Sequence, residues 1–322
     1  MGKIPIGRTI GEAFDFALGR YLSILGVIWL PILLLMAAQY FVLVPYFVRL
    51  FEFLQFAMQH AKDHPMPPPE LQAMQPMMLS LDVVAYIASI WMQVGIAKTA
   101  LGLRTGPLFV YVPVGLDELR VMGAYLVFLA ILYGACIVVG IVGAIVAVVA
   151  YALVSGGALA ISVTADMKPW LGGSLIAGIA VLVAALFYIQ VRLTYLLVPA
   201  TVSEKRFALW RSWELSKGNF WRIFTVGVGT LSPILVFEFA LILAFYFMII
   251  LTVLTQVTGH RHGAVVRSPA AVAAFMTMLW RYVVVYGTLT AAIIIPLLPI
   301  AYGLRFSSSA FAYRALTDDK AA

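Results

Sequence analysis

Charge is scarce in this sequence. Its 322 residues include 21 Lys+Arg and 14 Asp+Glu, so ionisable acids and bases make up 11%, less than half the roughly 25% of an average soluble domain. With 63% hydrophobic residues and a mean hydropathy of +1.02, a water-soluble fold would expose apolar area far beyond the few hundred Å² a monomer tolerates. The solvent for most of the chain is therefore lipid. Cysteine is almost missing: the single Cys136 lies in an apolar run, which excludes an intramolecular disulfide and a CxxC metal or redox site. Histidine is limited to His60, His64, His260 and His262, all in what read as outer loops. No GxxxxGKS/T phosphate loop occurs, which argues against an ATP-driven pump in this chain. No cofactor is expected.

What the chain has in abundance is uncharged length. Leu22 to Val48, Val121 to Ala165, Pro169 to Val191, Phe239 to His260 and Tyr282 to Leu304 contain no Asp, Glu, Lys or Arg, and a weaker run from Pro76 to Ala100 holds only Asp82 and Lys98. An ionised side chain at a helix centre costs about 2.5 to 3.5 kcal/mol even on the lenient insertion scale, so such runs mark membrane spans. The run from Val121 is too long for one span of about 20 to 25 residues, and Ser155-Gly156-Gly157 offers a stop, so that span is ended near Val154. The expectation is an all-α integral membrane protein of six spans. The first run follows a 21-residue segment carrying Glu12 and Asp15 and lacks an A-x-A site, so it reads as a retained span rather than a secretory leader.

Orientation follows from the basic residues, because short cytoplasmic loops keep Lys and Arg. With the N terminus inside, fifteen of the 21 are cytoplasmic and six, Arg49, Lys62, Lys168, Arg261, Arg267 and Arg281, are outside. Both termini are then cytoplasmic, and the expected location is a bacterial inner membrane. The net charge of +7 reflects this asymmetry rather than a nucleic-acid patch.

Three segments leading into the apolar hairpins resemble one another: TIGEAFDFALGRYL, GLDELRVMGAYL and ALWRSWELSKGNFW. In the first and third, Phe14 aligns with Trp213, Asp15 with Glu214, Gly19 with Gly218 and Tyr21 with Phe220. The middle copy supplies Gly123 and Tyr125 but carries its acid, Glu118, one place early. Their apolar residues recur at helical spacing, so each is read as a short cytoplasmic interfacial helix with aromatics toward the membrane and Arg or Lys toward lipid phosphate. The chain is thus read as one membrane domain, 1–322, with possible repeats over 8–101, 115–199 and 207–314, each a surface helix and a hairpin of two spans.

The stretch YLLVPATVSEKRFALWRSWELSKGNFWRIF contains Pro199, Glu204, Ala208, Leu209, Ser212, Trp213, Leu215, Gly218, Asn219, Phe220, Trp221 and Arg222. In this spacing it resembles the signature of the bacterial glycerophosphodiester phosphodiesterase membrane-domain family. The resemblance implies a membrane region that can accompany a soluble phosphodiesterase domain. That domain has no room here, since no hydrophilic stretch approaches the roughly 250 residues of a barrel, and the clustered carboxylates and His of metal-dependent cleavage are missing. The expectation is a non-catalytic polytopic component.

Three constellations are candidate sites. Glu238 in SPILVFEFALILAF stands at apparent membrane depth, where a carboxylate is a proton or cation site or half of an ion pair, and Arg281 is its available partner. His60 and His64, four apart with Asp63 beside them and several Met nearby, could hold Cu(I), although Pro65 and Pro67 to Pro69 disfavour a helix there. Arg20, Lys205, Arg206, Arg211, Trp213, Lys217, Trp221 and Arg222 fit a headgroup interface. Gly140, Gly143, Ala144 and Ala147 suit close helix packing. The expected role is a lipid- or envelope-associated accessory with membrane lipids, and other membrane or envelope proteins, as partners and no nucleic acid. The alternatives are a transporter or channel with a wet cavity near Glu238, Gln93, Gln190 or Arg192, and copper handling.

Overall fold

The computed structural model describes residues 2–59, 66–104, 111, 115–154, 169–259 and 269–318. Among them the chain forms helices and no strand: α1 (Ile6–Gly19), α2 (Tyr21–Gln59), α3 (Pro69–Ala73), α4 (Gln75–Ala100), α5 (Leu116–Val154), α6 (Pro169–Thr194), α7 (Leu197–Glu204), α8 (Leu209–Ser216), α9 (Phe220–Gly259) and α10 (Pro269–Asp318). Six helical stretches are long and apolar enough to cross a membrane. The protein is an all-α polytopic membrane protein. Helix is what uncharged runs must form in lipid, because no water is present to satisfy the backbone and a helix satisfies it within the segment.

Pro296 and Pro299 both lie within α10, where their missing N–H groups leave the Ala292 and Ile295 carbonyls without the usual intrahelical donors. The Tyr21 hydroxyl donates to the Pro296 carbonyl at 2.9 Å, which ties the first residue of α2 to this stretch of α10.

The chain divides into two compact units, one from Met1–Pro5, Gly115–Phe224 and Ala312–Ala322, the other from Ile6–Val114 and Thr225–Phe311. In the second, Ile24, Val27 and Ile28 of α2 pack with Met92 and Ile96 of α4 and Phe306 of α10. Gly95 makes this possible, because a Cβ there would collide with Val27 Cγ1. Ala13 and Ala17 of α1 join Leu304, Ala310 and Phe311 in an adjoining cluster, and a Cβ on Gly303 would stand 2.8 Å from Ile24 and 3.1 Å from Ala17. Small residues thus bring α1, α2 and α10 close together.

Two details depart from the sequence reading. The middle segment, GLDELRVMGAYL, forms no separate surface helix. It is the first three turns of α5, with Asp117 and Glu118 in the opening turn where the helix dipole favours acids. Gly123 is an ordinary helical residue there, and a Cβ on it would meet the Phe207 ring at 2.8 Å. The second departure is α7. The chain breaks after Thr194, restarts at Leu197, and buries Leu197 to Val202 completely or nearly so.

Candidate functional site

The signature-like segment folds around Arg192. This residue ends the uncharged run of α6 and is only 7% exposed, yet no carboxylate pairs with it among the described residues. Its Nε donates to Ser216 Oγ at 3.2 Å, Nη1 to the Tyr188 hydroxyl at 3.1 Å and Nη2 to the Trp213 carbonyl at 2.8 Å. The guanidinium lies 3.7 Å from the Trp213 ring centroid and 5.5 Å from that of Tyr188. Its charge is thus offset by two π faces and by the carbonyl end of α8, the end of a helix that favours cations.

The service is mutual. Arg192 closes a terminal carbonyl of α8, and α8 returns Ser212 Oγ and Ser216 Oγ to the Arg192 carbonyl at 3.0 and 3.3 Å, near where α6 runs out of intrahelical donors. The residues after α8 form a tight turn in which the Asn219 amide donates to the Ser216 carbonyl at 3.0 Å. Lys217 has φ −62° and ψ 122°, and Gly218 has φ +79°. That pair defines a type II turn, whose third position needs a residue free to adopt positive φ. Glycine is required at 218 for that reason.

Asn219 then fastens the start of the chain. Its Oδ1 accepts from the Ile4 amide at 3.3 Å, and its Nδ2 donates to the Gly2 carbonyl at 3.1 Å. Arg222 donates to the Ile4 carbonyl at 2.8 Å, and the Ile4 side chain is fully buried. On the other flank Glu204 accepts from Arg206 at 2.6 and 2.8 Å, from Arg211 at 3.0 Å and from the Tyr313 hydroxyl at 3.3 Å. Arg211 also reaches Glu214 at 3.3 Å. Partial burial by itself would lower the Arg211 pKa, but its two carboxylate partners outweigh this and raise it above the ordinary value.

The residues expected at a headgroup interface therefore separate into two groups. Trp213, Arg211 and Arg222 are engaged inside the fold. Lys205, Arg206, Lys217 and Trp221 are exposed, joined by Phe207 and Trp210, and the three aromatic side chains are 63% (Phe207), 70% (Trp210) and 73% (Trp221) exposed. Arg20 is also exposed, in the other unit. Lys205 holds a left-handed φ of 50° that ends α7 and turns its side chain outward.

Glu238 and Arg281 are not a pair. No ion pair or hydrogen bond joins them among the described residues, and both are exposed. Ile234 joins the cluster containing Leu304, and Glu238 acts electrostatically on Tyr302. Arg281 lies 21 residues before Tyr302 on α10, about 30 Å along the axis at 1.5 Å per residue. The pairing register places the two charges at different depths. Gln93 donates to Ser89 at 3.1 Å, and Arg192 is buried rather than lining a wet passage. His60 and His64 lie outside the described residues, and among the described residues no group of three or more His, Cys, Asp or Glu could hold a metal ion.

Sequence reasoning missed the role of Arg192, treating it as a topological charge and a cavity candidate. The available signal was an Arg closing a 23-residue uncharged run, followed twenty residues later by Ser-x-x-x-Ser around a Trp. No family model, no curated protein and no solved structure matches the chain.

Proposed function

We propose that the protein is a non-catalytic inner-membrane component, with both termini cytoplasmic, that associates with anionic lipid through the α8 platform. One observation carries this reading: Phe207, Trp210 and Trp221 are exposed beside Lys205, Arg206 and Lys217, whereas the nearby acids Glu204 and Glu214 are held by Arg206 and Arg211. The carboxylates cancel the two arginines, so Lys205 and Lys217 leave an uncompensated positive rim among exposed rings. Aromatics that are apolar over most of their surface, next to ammonium groups, suit the headgroup layer, with each cation near an anionic surface contributing about 1 kcal/mol. The fifteen-to-six division of basic residues supports placing this rim in the cytoplasm. The resemblance of Pro199 to Arg222 to the membrane-domain signature supports a membrane-region role, and the segment's polar groups serve the fold rather than a reaction.

Spin labels at positions 210 and 221, in a Cys136→Ser background reconstituted with phosphatidylglycerol, test the reading. The expected depth is the phosphate level, with closer approach as the anionic fraction rises. Labels fully accessible to water-soluble relaxants at every lipid composition would overturn it.

A further inference from the structure

A second cationic and aromatic surface lies on α10, away in sequence from the α8 platform. Met278, Arg281, Tyr282, Val285 and Tyr286 recur at intervals of three and four, which places them on one helix face, and they line a cavity of about 310 Å³. The Tyr282 and Tyr286 rings are nearly parallel, 5.8 Å apart at 11°. Next to this stripe, Trp280 meets Phe51 of α2 edge to face at 5.0 Å, so α2 stands beside the same stretch of α10.

Arg281 has no hydrogen bond or ion pair among the described residues. The acid on α2 nearest that contact in sequence, Glu52, is taken by Arg49 at 3.2 Å, and Glu238 belongs to the neighbourhood of Tyr302. The uncharged run of α10 begins at Tyr282, and the division of basic residues puts Arg281 on the outer side, at the start of that run. Aromatic belts and lipid phosphates share that depth. A guanidinium there, with no protein carboxylate, can match two phosphate oxygens with its planar fork.

We propose that this stripe is a phospholipid site. The Arg281 guanidinium and the Tyr282 and Tyr286 hydroxyls donate to phosphodiester oxygens, and the glycerol and upper acyl chain lie against Met278 and Val285. The occupant is a lipid rather than a free anion, because two of the five lining side chains are wholly apolar and two more are aromatic rings. The proposal rests on the lipid-associated reading but uses different residues from the α8 platform.

Native mass spectrometry of the full chain in detergent, titrated with phosphatidylglycerol, provides the test. Arg281→Met should weaken the tightest lipid adduct about tenfold, the loss of one charge-assisted fork. Arg281→Lys, which keeps the charge without the fork, should weaken it severalfold and serves if Arg281→Met melts early. The double variant Lys205→Gln/Lys217→Gln should leave this adduct unchanged. Wild-type affinity in both Arg281 variants would overturn the site while leaving the platform untouched, and loss only in the lysine double variant would do the same. Full displacement of the lipid by millimolar inorganic phosphate would overturn the lipid assignment in favour of a free-anion site.

Discussion

The junctions after α1 and after α8 align in sequence and differ in construction. At Gly19–Arg20 the backbone barely departs from helix: the Arg20 amide donates to the Phe16 carbonyl at 2.9 Å and the Ile24 amide to the Arg20 carbonyl at 3.0 Å. At Lys217–Asn219 the ladder stops, a type II turn intervenes, and Asn219 is released to hold residues 2 to 4. Gly19 and Gly218, aligned in the two segments, therefore do not occupy equivalent bends. Gly19 is a helical residue with open space around its Cα, whereas Gly218 is held at φ +79°. The same residue at aligned positions serves permissiveness in one place and a conformational requirement in the other.

The largest effect that would break this contrast is expected at Arg192. Arg192→Met keeps the bulk but removes the guanidinium's bonds to the Trp213 carbonyl and to the Ser216 and Tyr188 hydroxyls, and it removes the cation from between the two rings. The expected loss is about 3 kcal/mol, read from urea or thermal unfolding in detergent. A loss under about 1 kcal/mol would show that α6 and α8 do not depend on each other's ends. Asn219→Ala should follow at about 2 kcal/mol, since it removes two bonds to the N-terminal segment. Amide exchange at Ile4 should rise sharply while exchange within α1 stays unchanged. Protection at Ile4 equal to wild type would mean that Arg222 and burial suffice.

The smallest effects give the sharpest comparison because they are expected to have opposite signs. Gly218→Ala forces a Cβ into a left-handed position and should destabilise by about 1 kcal/mol. Gly19→Ala places alanine in an open helical site and should stabilise by about 0.5 to 1 kcal/mol. Shifts of the same sign in both variants would restore the view that the two junctions are equivalent.

Much of the architecture was legible because one term dominates it. A long uncharged run in lipid has no competitive alternative to helix, and the runs from Leu22 to Val48, Pro169 to Val191 and Tyr282 to Leu304 fall within helices, as does the described part of the run from Val121, up to Val154. What escaped depends on relations between distant residues. The reciprocal capping of α6 and α8 arises from side chains twenty or more residues apart, which no periodicity records. The pairing expected of Glu238 with Arg281 failed for a related reason: hydropathy locates a residue within its own span, while the partner depends on the register between helices, here marked by Ile234 packing against the cluster that holds Leu304, Ala310 and Phe311 of α10. The cationic and aromatic residues of 204–222 were identified as one group, but sequence could not separate Trp213, turned inward onto Arg192, from Trp210 and Trp221 facing outward.

The hold of Asn219 and Arg222 on Gly2 and Ile4 also sets an order of events during synthesis. The two ends of this clasp are 217 residues apart between Gly2 and Asn219. At about 5 to 20 residues per second, Asn219 is made on the order of 10 to 40 s after the segment it holds. Residues 2 to 4 leave the ribosome long before their partners exist, and four of the spans must be handed to the insertion machinery in that interval. Residues 2 to 4 thus wait through most of the synthesis of the chain for the contacts that finally hold them.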